Sequence, residues 1–410
     1  MRRRAGHATP PTGVKAAEIS GLDRTGLQTG RLPDSSLTAW IKSPAWDLVW
    51  VLNMVWLAPL VLLLGSGSAV DWLFFALAVP LWFGHRVSSA WLAYATPAYR
   101  PLLATQPLRF VIAPLAIIAV CFAVLLAPES VLPMPLTERV LCLAALDYLL
   151  VSHHFAAQHY GLLSLYRERA GRPPEANVRR LDRWFALIVG GGFVVLANAL
   201  AGSIAFQDRW VDPLLGAALT EKVARTLRDG SLIVIVAITA LMLQVELRSQ
   251  RLSPPRIAYI LGVSASVLIG FLSPLLFLVL WSVQHWSAAM GLASLAACGG
   301  AQTTHTHWQR LLAPINQRGW AVLLVLAVVS ILLLPVLEVE AVTDEYAFAH
   351  RIFGDAALWL RSSSFVPALL ALGFASGFIH YVLDRAAFRF SSPDVREAAR
   401  GLLQGGARRS

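Results

Sequence analysis

The sequence predicts an all-α, polytopic membrane helical bundle of about ten transmembrane helices. Of its 410 residues, 57% are hydrophobic and only 14% are charged. A soluble domain is usually about 45–50% apolar and about 25% charged. Apolar runs of about 20 residues, the length that crosses a bilayer, recur along most of the chain. Composition and run length together therefore place nearly the whole protein in a membrane.

Ten apolar runs are interpreted as membrane spans. The run over residues 256–297 is too long for one crossing, because a single helix of that length would extend about 63 Å, twice a hydrocarbon core of about 30 Å. Gly270, Ser273 and Pro274 offer a break, so we predict a helical hairpin there. The ten predicted spans are residues 46–65, 71–92, 109–127, 139–166, 183–205, 230–247, 256–272, 275–297, 320–337 and 365–386.

The distribution of Lys and Arg predicts the orientation of these spans. With a cytoplasmic N-terminus, the inner segments carry 25 of the 34 Lys and Arg residues and the outer segments carry 7. Positive residues collect on the cytoplasmic side of membrane proteins. We therefore expect a protein of the cell membrane with both termini in the cytoplasm. Residues 1–45 are predicted to be a disordered basic tail, 46–386 the transmembrane domain, and 387–410 a second basic cytoplasmic tail.

Charge and cysteine usage exclude several other classes of protein. The net charge of +10 resides in short segments between apolar runs, which is typical of membrane orientation and not of nucleic-acid binding. Cys121, Cys142 and Cys298 are scattered without CxxC spacing, which argues against a thiolate metal site. No P-loop, GxSxG or HExxH motif is present. The three glycines at 190–192 lie in a predicted span and favour close helix packing.

Histidine is the residue that points to a function. Ionisable side chains inside membrane helices are costly, and they mark functional sites by default. On the predicted topology, eight of the ten histidines fall in the cytoplasmic half of the bundle or just beyond it. These are His85, His153, His154, His159, His285, His305, His307 and His380.

Such a cluster is typical of a transition-metal site. Neutral imidazole is the commonest protein ligand for iron, copper and zinc, and nearby carboxylates and amides orient the rings. His153 and His154 point about 100° apart on a helix and His159 points elsewhere again, so not all three can ligate one metal from a straight helix. We therefore expect either two metals or a division between ligands and hydrogen-bonding histidines. The predicted orienting residues are Asp147, Gln158, Gln284 and Asp384, with Asp384 four residues after His380 on one helical face.

Interpretations that assign these residues no metal-binding role remain open. A lone histidine in a membrane helix is more often an interhelical hydrogen-bond partner than a ligand, and His305 and His307 are equally typical of a solvated loop. Aromatic residues near the histidines indicate either an interfacial belt or an apolar pocket for a lipophilic substrate. The predicted pocket residues are Trp281, Trp286, Tyr160 and Arg385; no catalytic acid, base or nucleophile is assigned.

The number and sidedness of the histidines resemble the integral-membrane di-iron oxygenases, which include fatty acid desaturases, fatty acid and sterol hydroxylases and alkane hydroxylases. The resemblance is one of pattern: residues 153–160, HHFAAQHY, take the part of one histidine box and His380 that of another, while the HxxxH and HxxHH boxes are missing as such. It implies an O2-activating enzyme with one or two irons, a cytoplasmic electron donor and a lipophilic or small organic substrate. Copper would suit the same ligands.

Two other functions remain as alternatives. A transporter could use His and Asp as a proton or metal relay, although no inverted repeat is visible. A b-type haem protein would need paired axial histidines at matching depth, for which His154 with His285 or His380 is suitable.

Overall fold

The computed structural model describes residues 39–65, 67–172, 175–192, 216–299, 307–338, 348–399 and 402–403. Every regular element in these ranges is a helix and none is a strand. Eight helices are long and apolar enough to cross a membrane, or nine if a bent pair over 44–64 forms one span. The predicted class, an all-α polytopic membrane bundle, is confirmed.

The α-helices are numbered here in chain order. They are α1 Pro44–Trp50, α2 Met54–Leu64, α3 Ser68–Ala90, α4 Arg100–Thr105, α5 Ala113–Leu126, α6 Leu136–Arg169, α7 Ala176–Phe185, α8 Ala217–Leu247, α9 Pro254–Leu272, α10 Pro274–Gly299, α11 His307–Asn316, α12 Gly319–Leu337, α13 Phe348–Phe353, α14 Asp355–Ser362, α15 Val366–Ala387 and α16 Pro393–Ala398. Short π-helical turns continue α3 over Trp91–Ala95, precede α5 over Leu108–Ile112 and extend α7 over Ala186–Gly192. The predicted span 183–205 lies partly outside the described residues.

The long apolar run after residue 255 forms two helices. The chain breaks at Ser273, whose backbone is extended, and Pro274 begins the next helix. The ring of His159 contacts Tyr259 of α9 at 5.8 Å between centroids and Trp281 of α10 at 4.9 Å. These two residues would lie about 33 Å apart along a single straight helix. The predicted hairpin is therefore confirmed.

Helices α3 and α15 run in the same direction. Arg86 donates to Ser376 Oγ at 3.2 Å, and Ser89 pairs with His380 three residues further along α3. Residue numbers rise together on both sides of this interface. Consecutive membrane spans usually run antiparallel. The parallel helices α3 and α15 are therefore separated by other crossings.

Helix α6 runs in the same direction as α15. Val140 and Leu143 pack in one apolar cluster with Leu370. Further along both helices, His154 lies 3.9 Å from Asp384. Helices α3, α6 and α15 thus present their side chains at corresponding depths.

Residues of both predicted tails pack against the bundle. Val395 and Leu402 are buried in the largest apolar cluster, together with Ile41. The guanidinium of Arg169 donates to the carbonyls of Ile41 and Leu402 at 2.9 and 2.8 Å. The short apolar face of α16 is diluted by charged neighbours in the sequence, which is why the sequence predicted only a basic tail.

Glycine allows close helix contacts beside the candidate site. A Cβ on Gly84 would lie 2.9 Å from the carbonyl oxygen of Leu326 on α12. A Cβ on Gly190 would lie 2.7 Å from His159 Cδ2. The prediction that the glycines at 190–192 serve helix packing is confirmed at Gly190.

Candidate metal centre

Four of the eight predicted histidines meet inside the bundle. They are His85 on α3, His154 on α6, His285 on α10 and His380 on α15, and each side chain is between 1% and 4% exposed. Their positions lie about 16–27 Å from the N-terminal ends of their helices at 1.5 Å per residue. Four different helices therefore contribute one imidazole each to a point well within the apolar interior.

The ring nitrogens lie close enough to share a ligand. One ring nitrogen from each of His85, His285 and His380 lies within 4.8 Å of the others. His154 joins them because its Nε2 lies 3.2 Å from His380 Nε2. Its ring also contacts the ring of His285, with 4.9 Å between centroids. Within the residues that the structure describes, the set of His85, His285 and His380 is the one group of three or more His, Cys, Asp or Glu ligands found within 4.8 Å of one another.

The distance between His154 Nε2 and His380 Nε2 fits a common metal ligand. Imidazole nitrogen binds a divalent transition metal at about 2.0–2.1 Å, so two such ligands are about 3.0 Å apart at a right angle and about 3.4 Å apart at a tetrahedral angle. The observed 3.2 Å lies between these values. His154 and His380 could thus bind one ion together after small side-chain movements.

The remaining ring nitrogens of three histidines have orienting partners. His85 Nδ1 donates to the backbone carbonyl of Trp82, which leaves Nε2 as an unprotonated acceptor in the neutral ring. His380 Nδ1 pairs with Ser89 Oγ at 2.7 Å. His154 Nδ1 faces the carboxylate of Asp384 at 3.9 Å. Such partners fix the tautomer and the ring orientation of metal-binding histidines.

Two buried polar atoms at the centre have no hydrogen-bond partner among the residues that the structure describes. They are Nδ1 of His285 and Oδ1 of Asp384. Buried polar atoms in native proteins are nearly always paired, and an exception calls for an explanation such as an ion or a catalytic role. The donor set is therefore consistent with a cation site, with the carboxylate of Asp384 just behind the imidazoles.

The partner of Asp384 differs from the prediction. The sequence placed Asp384 beside His380 on one helical face, whereas the structure directs its Oδ2 to His154 on α6 and gives His380 the hydroxyl of Ser89. Contacts between helices decide this arrangement, and helical spacing alone does not contain them.

An aromatic stack borders the cluster on its α3 and α10 side. The ring of Trp286 lies nearly parallel to those of Trp82, Phe74 and His85, with centroids 5.8–6.1 Å apart. Phe348 closes the far side of the stack at 5.7 Å from Phe74. This wall is apolar and buried, so it keeps water from the histidines.

The other predicted histidines do not join the four rings. His159 is buried, but its Nδ1 pairs with the hydroxyl of Tyr259 at 2.5 Å, and its ring packs on Trp281. His153 and His307 are exposed. His305 lies outside the described residues. The division of histidines between different roles agrees with the expectation that neighbours on α6 point in different directions.

The predicted orienting and pocket residues occupy varied positions. Gln158 Nε2 donates to the backbone carbonyl of His285 at 3.2 Å, and Gln284 Nε2 donates to that of Val51 at 3.3 Å. Asp147 accepts from the hydroxyl of Tyr381, whose ring lies 4.9 Å from that of His154.

Of the predicted pocket residues, Trp286 contacts the cluster directly through His85. Trp281 is buried against Phe155 and His159. Tyr160 lies under the guanidinium of Arg183, and Arg385 is exposed. Trp286 is thus the one of these four whose ring stacks on a clustered histidine.

A second polar centre, which the sequence did not reveal, lies at the end of the bundle where α6 finishes. The carboxylate of Asp182 pairs with Arg167 and Arg256. Arg256 also donates to Glu246 at 2.6 Å, and Glu246 accepts from Arg172 at 2.7 Å. We call these five residues the inner ion network. Its members come from separate segments. The only signals in the sequence were Asp182, an acidic residue in a predicted basic inner segment, and Glu246, a carboxylate near the end of the predicted span 230–247.

Comparison with known protein families, with curated proteins and with solved structures finds no match to this chain.

Proposed function

We propose that this chain is an integral-membrane metalloenzyme that holds one iron ion on His85, His154, His285 and His380 and oxidises a lipophilic substrate with O2. The observation that carries the proposal is the meeting of four buried imidazoles from four helices in an apolar interior. Neutral imidazole suits iron, and it suits copper as the alternative metal. When bound, iron would supply the one-electron chemistry that O2 activation requires.

The residues around the rings support this role. Trp82, Ser89 and Asp384 each contact Nδ1 of one imidazole, so Nε2 is the nitrogen by which His85, His380 and His154 would bind a metal. The stack of Trp286 on Trp82 excludes water from one side, and a dry site protects reactive species from side reactions. The same apolar surroundings favour a lipophilic substrate that arrives from the bilayer.

A purely structural metal is a weaker explanation for these residues. Structural ions typically stabilise small domains whose hydrophobic core is insufficient. Here the helices are joined by three extensive apolar clusters, among them one that includes Val263, Leu326 and Leu383. A site that the fold does not need for its core is better explained by chemistry.

Electrons would come from a protein donor on the cytoplasmic side. The inner segments carry most of the 34 Lys and Arg residues, and a basic face attracts an acidic partner. In the proposed arrangement both termini also lie in the cytoplasm.

Metal analysis of the full chain purified in mild detergent tests the first part. We expect about one iron or copper per chain and no Soret absorption, with loss of metal in the quadruple variant in which each clustered histidine is changed to Ala. The matched control, His153→Ala plus His350→Ala, removes exposed histidines and should keep the metal. Metal-free wild-type protein, or a quadruple variant that retains its metal, would refute the site.

Oxygen uptake tests the second part. The iron-loaded protein with a chemical reductant should consume O2 faster when a membrane-lipid extract is added, whereas the zinc-loaded protein should not. Equal O2 uptake by the iron and zinc forms would refute an oxidative function while leaving the metal site intact.

A transporter is the second candidate, favoured by the broken first span. Helices α1 and α2 meet at an angle of 49°, and the side chain of Asn53 at the break donates to Ser287 Oγ on α10 at 2.7 Å. Broken helices beside a mid-membrane site are typical of transporters. Proteoliposomes distinguish the two functions: metal-ion flux that the quadruple histidine variant abolishes would favour transport, and its absence would favour catalysis.

The haem alternative fits the packing poorly. Two axial histidines must stand on opposite faces of a macrocycle. Here the rings of His154 and His380 are in direct contact, with 4.7 Å between centroids.

A further inference from the structure

A cavity of about 480 Å³ lies between the start of the α5 span and the segment after α15. Its polar lining consists of Arg109, Arg389, Gln106, Thr105, Ser391 and Ser392. None of its lining residues belongs to the histidine cluster, and no carboxylate of the described residues lines it. Its lining therefore carries a charge of +2.

The position of the two arginines corresponds to the membrane interface. Arg109 is the second residue of the apolar stretch Leu108–Leu126, and Arg389 follows the end of α15 at Ala387 by two residues. Because α6 and α15 run in the same direction, this is the end of the bundle at which α6 also finishes. Phosphate groups of lipids occupy this level of a bilayer.

Among the hydrogen bonds within the described part of the chain, each of the two guanidiniums uses only one of its N–H donors. Arg109 gives one bond to Gln106 Oε1 at 2.9 Å, and Arg389 gives one to Ser391 Oγ at 3.4 Å. Each guanidinium carries five N–H groups in a planar fork that matches two oxygens of a phosphate. The bond that Arg109 donates to Gln106 joins two residues of the cavity lining, and Arg109 is half-buried there.

An apolar surface continues from the cavity along the membrane-facing side of the same span. Leu108, Ile112 and Leu115 are 53–66% exposed and lie at i, i+4 and i+7 on one helical face. A ligand with an anionic head at the arginines and a hydrocarbon chain along this face would contact both surfaces. A free phosphate ion would use only the first.

We propose that this cavity binds the phosphate group of an anionic phospholipid, with Arg109 and Arg389 on the phosphate and the acyl chain along Leu108, Ile112 and Leu115. The site requires neither the metal nor the proposed enzymatic function. It would hold a lipid at a fixed position where α5 and α15 meet.

Lipid-dependent stabilisation of the full chain in detergent tests the proposal. Titrated phosphatidylglycerol should raise the midpoint of thermal unfolding in a saturable way, whereas phosphatidylcholine and millimolar inorganic phosphate should not. At about 1 kcal/mol for each basic residue near a membrane surface, loss of one arginine weakens the apparent affinity about fivefold and loss of both about 30-fold.

The variants are Arg389→Gln, Arg109→Gln and the two combined, with Arg180→Gln as the control. Arg180 is an exposed arginine on α7 away from the cavity lining, and its loss should change the apparent affinity by less than about twofold. Arg389 is exposed, so its single variant should fold even if the double variant does not. Equal stabilisation by inorganic phosphate, or an unchanged affinity in Arg389→Gln, would overturn the proposal.

Discussion

The inner ion network and the histidine cluster are both buried and polar, yet their atoms are paired differently. In the network, Asp182 faces Arg167 and Arg256, and Glu246 faces Arg172 and Arg256. In the cluster, a ring nitrogen of His285 and a carboxylate oxygen of Asp384 have no hydrogen-bond partner within the described ranges. Opposite charges that pair with one another stabilise the fold. Polar atoms that lie together without such pairing are better explained by a bound ligand.

Mutations in the two regions should change the stability of the fold to very different extents. Removing a member of the ion network leaves uncompensated buried charge, which is strongly destabilising. Removing an unpartnered polar group of the cluster eliminates a buried polar atom that makes no hydrogen bond, so the stability of the fold should change little.

The largest effect is expected for Arg256→Met. This change leaves Asp182 and Glu246 each without one of their cations, and breaking a buried charge pair costs about 3–5 kcal/mol. The free energy of unfolding, measured in detergent with a chemical denaturant, should fall by that amount. The control Arg248→Met removes an exposed arginine from the same inner segment and should change it by less than about 0.5 kcal/mol. Similar values for both variants would contradict the distinction between the regions.

His285→Leu should separate binding from folding. Leucine has about the volume of histidine and lacks the unpaired nitrogen, so the chelator-treated variant should unfold within about 1 kcal/mol of the chelator-treated wild type. Its metal content, measured by mass spectrometry after reloading, should drop from about one ion per chain to well below half. A large loss of stability with retained metal would assign His285 to the fold instead.

Asp384→Asn should weaken metal binding without abolishing it. The carboxylate lies behind His154, and loss of a group that orients a ligand usually lowers metal affinity about 10–100-fold. Competition with a chromophoric chelator measures this change. Asp394→Asn, which alters an exposed carboxylate on α16, is the matched control. Equal affinity in the two variants would show that Asp384 has no orienting role.

Ser89→Ala should have a smaller effect of the same kind. It removes the hydroxyl that pairs with His380 Nδ1, and a hydrogen bond of about 1 kcal/mol corresponds to about a fivefold change in metal affinity. Ser88→Ala is the control, because Ser88 Oγ bonds only to the backbone carbonyl of His85 among the contacts described. Chelator competition again supplies the measurement, and a greater loss in Ser88→Ala would contradict the assigned role.

The smallest effect is expected for His153→Ala and His307→Ala. Both side chains are exposed and lie outside the four-ring cluster. Metal content and unfolding midpoint should remain those of the wild type. Loss of metal in either variant would extend the site beyond the four histidines and favour the two-metal arrangement.

The sequence allowed the fold class and the four clustered histidines to be predicted because both depend on the local apolar context. Long apolar runs identify spans, and a polar ring inside such a run is conspicuous, as at His285. The sequence did not show which of the neighbouring residues His153 and His154 enters the cluster. Only the packing of α6 against α10 and α15 determines that His154 enters the cluster while His153 remains exposed.

Pairing between distant segments was the other limit. Asp182 and Arg256 are separated by 74 residues, and no periodicity connects them. The same limit applies to Asp384. Its spacing on the helix predicted a contact with His380, whereas the structure places it beside His154. Sequence spacing predicts partners within one helix, whereas the charges here are paired across the bundle.

The parallel arrangement of α3 and α15 has a consequence for biosynthesis. His85 and His380 are in ring contact, yet a ribosome that adds about 5–20 residues per second needs about 15–60 s to proceed from the first to the second. Throughout that interval the earlier helices are inserted with their histidines unassembled. Loading of the proposed metal would therefore have to follow translation of His380, and until the final crossing arrives helper proteins or neighbouring lipids would have to accommodate three polar rings.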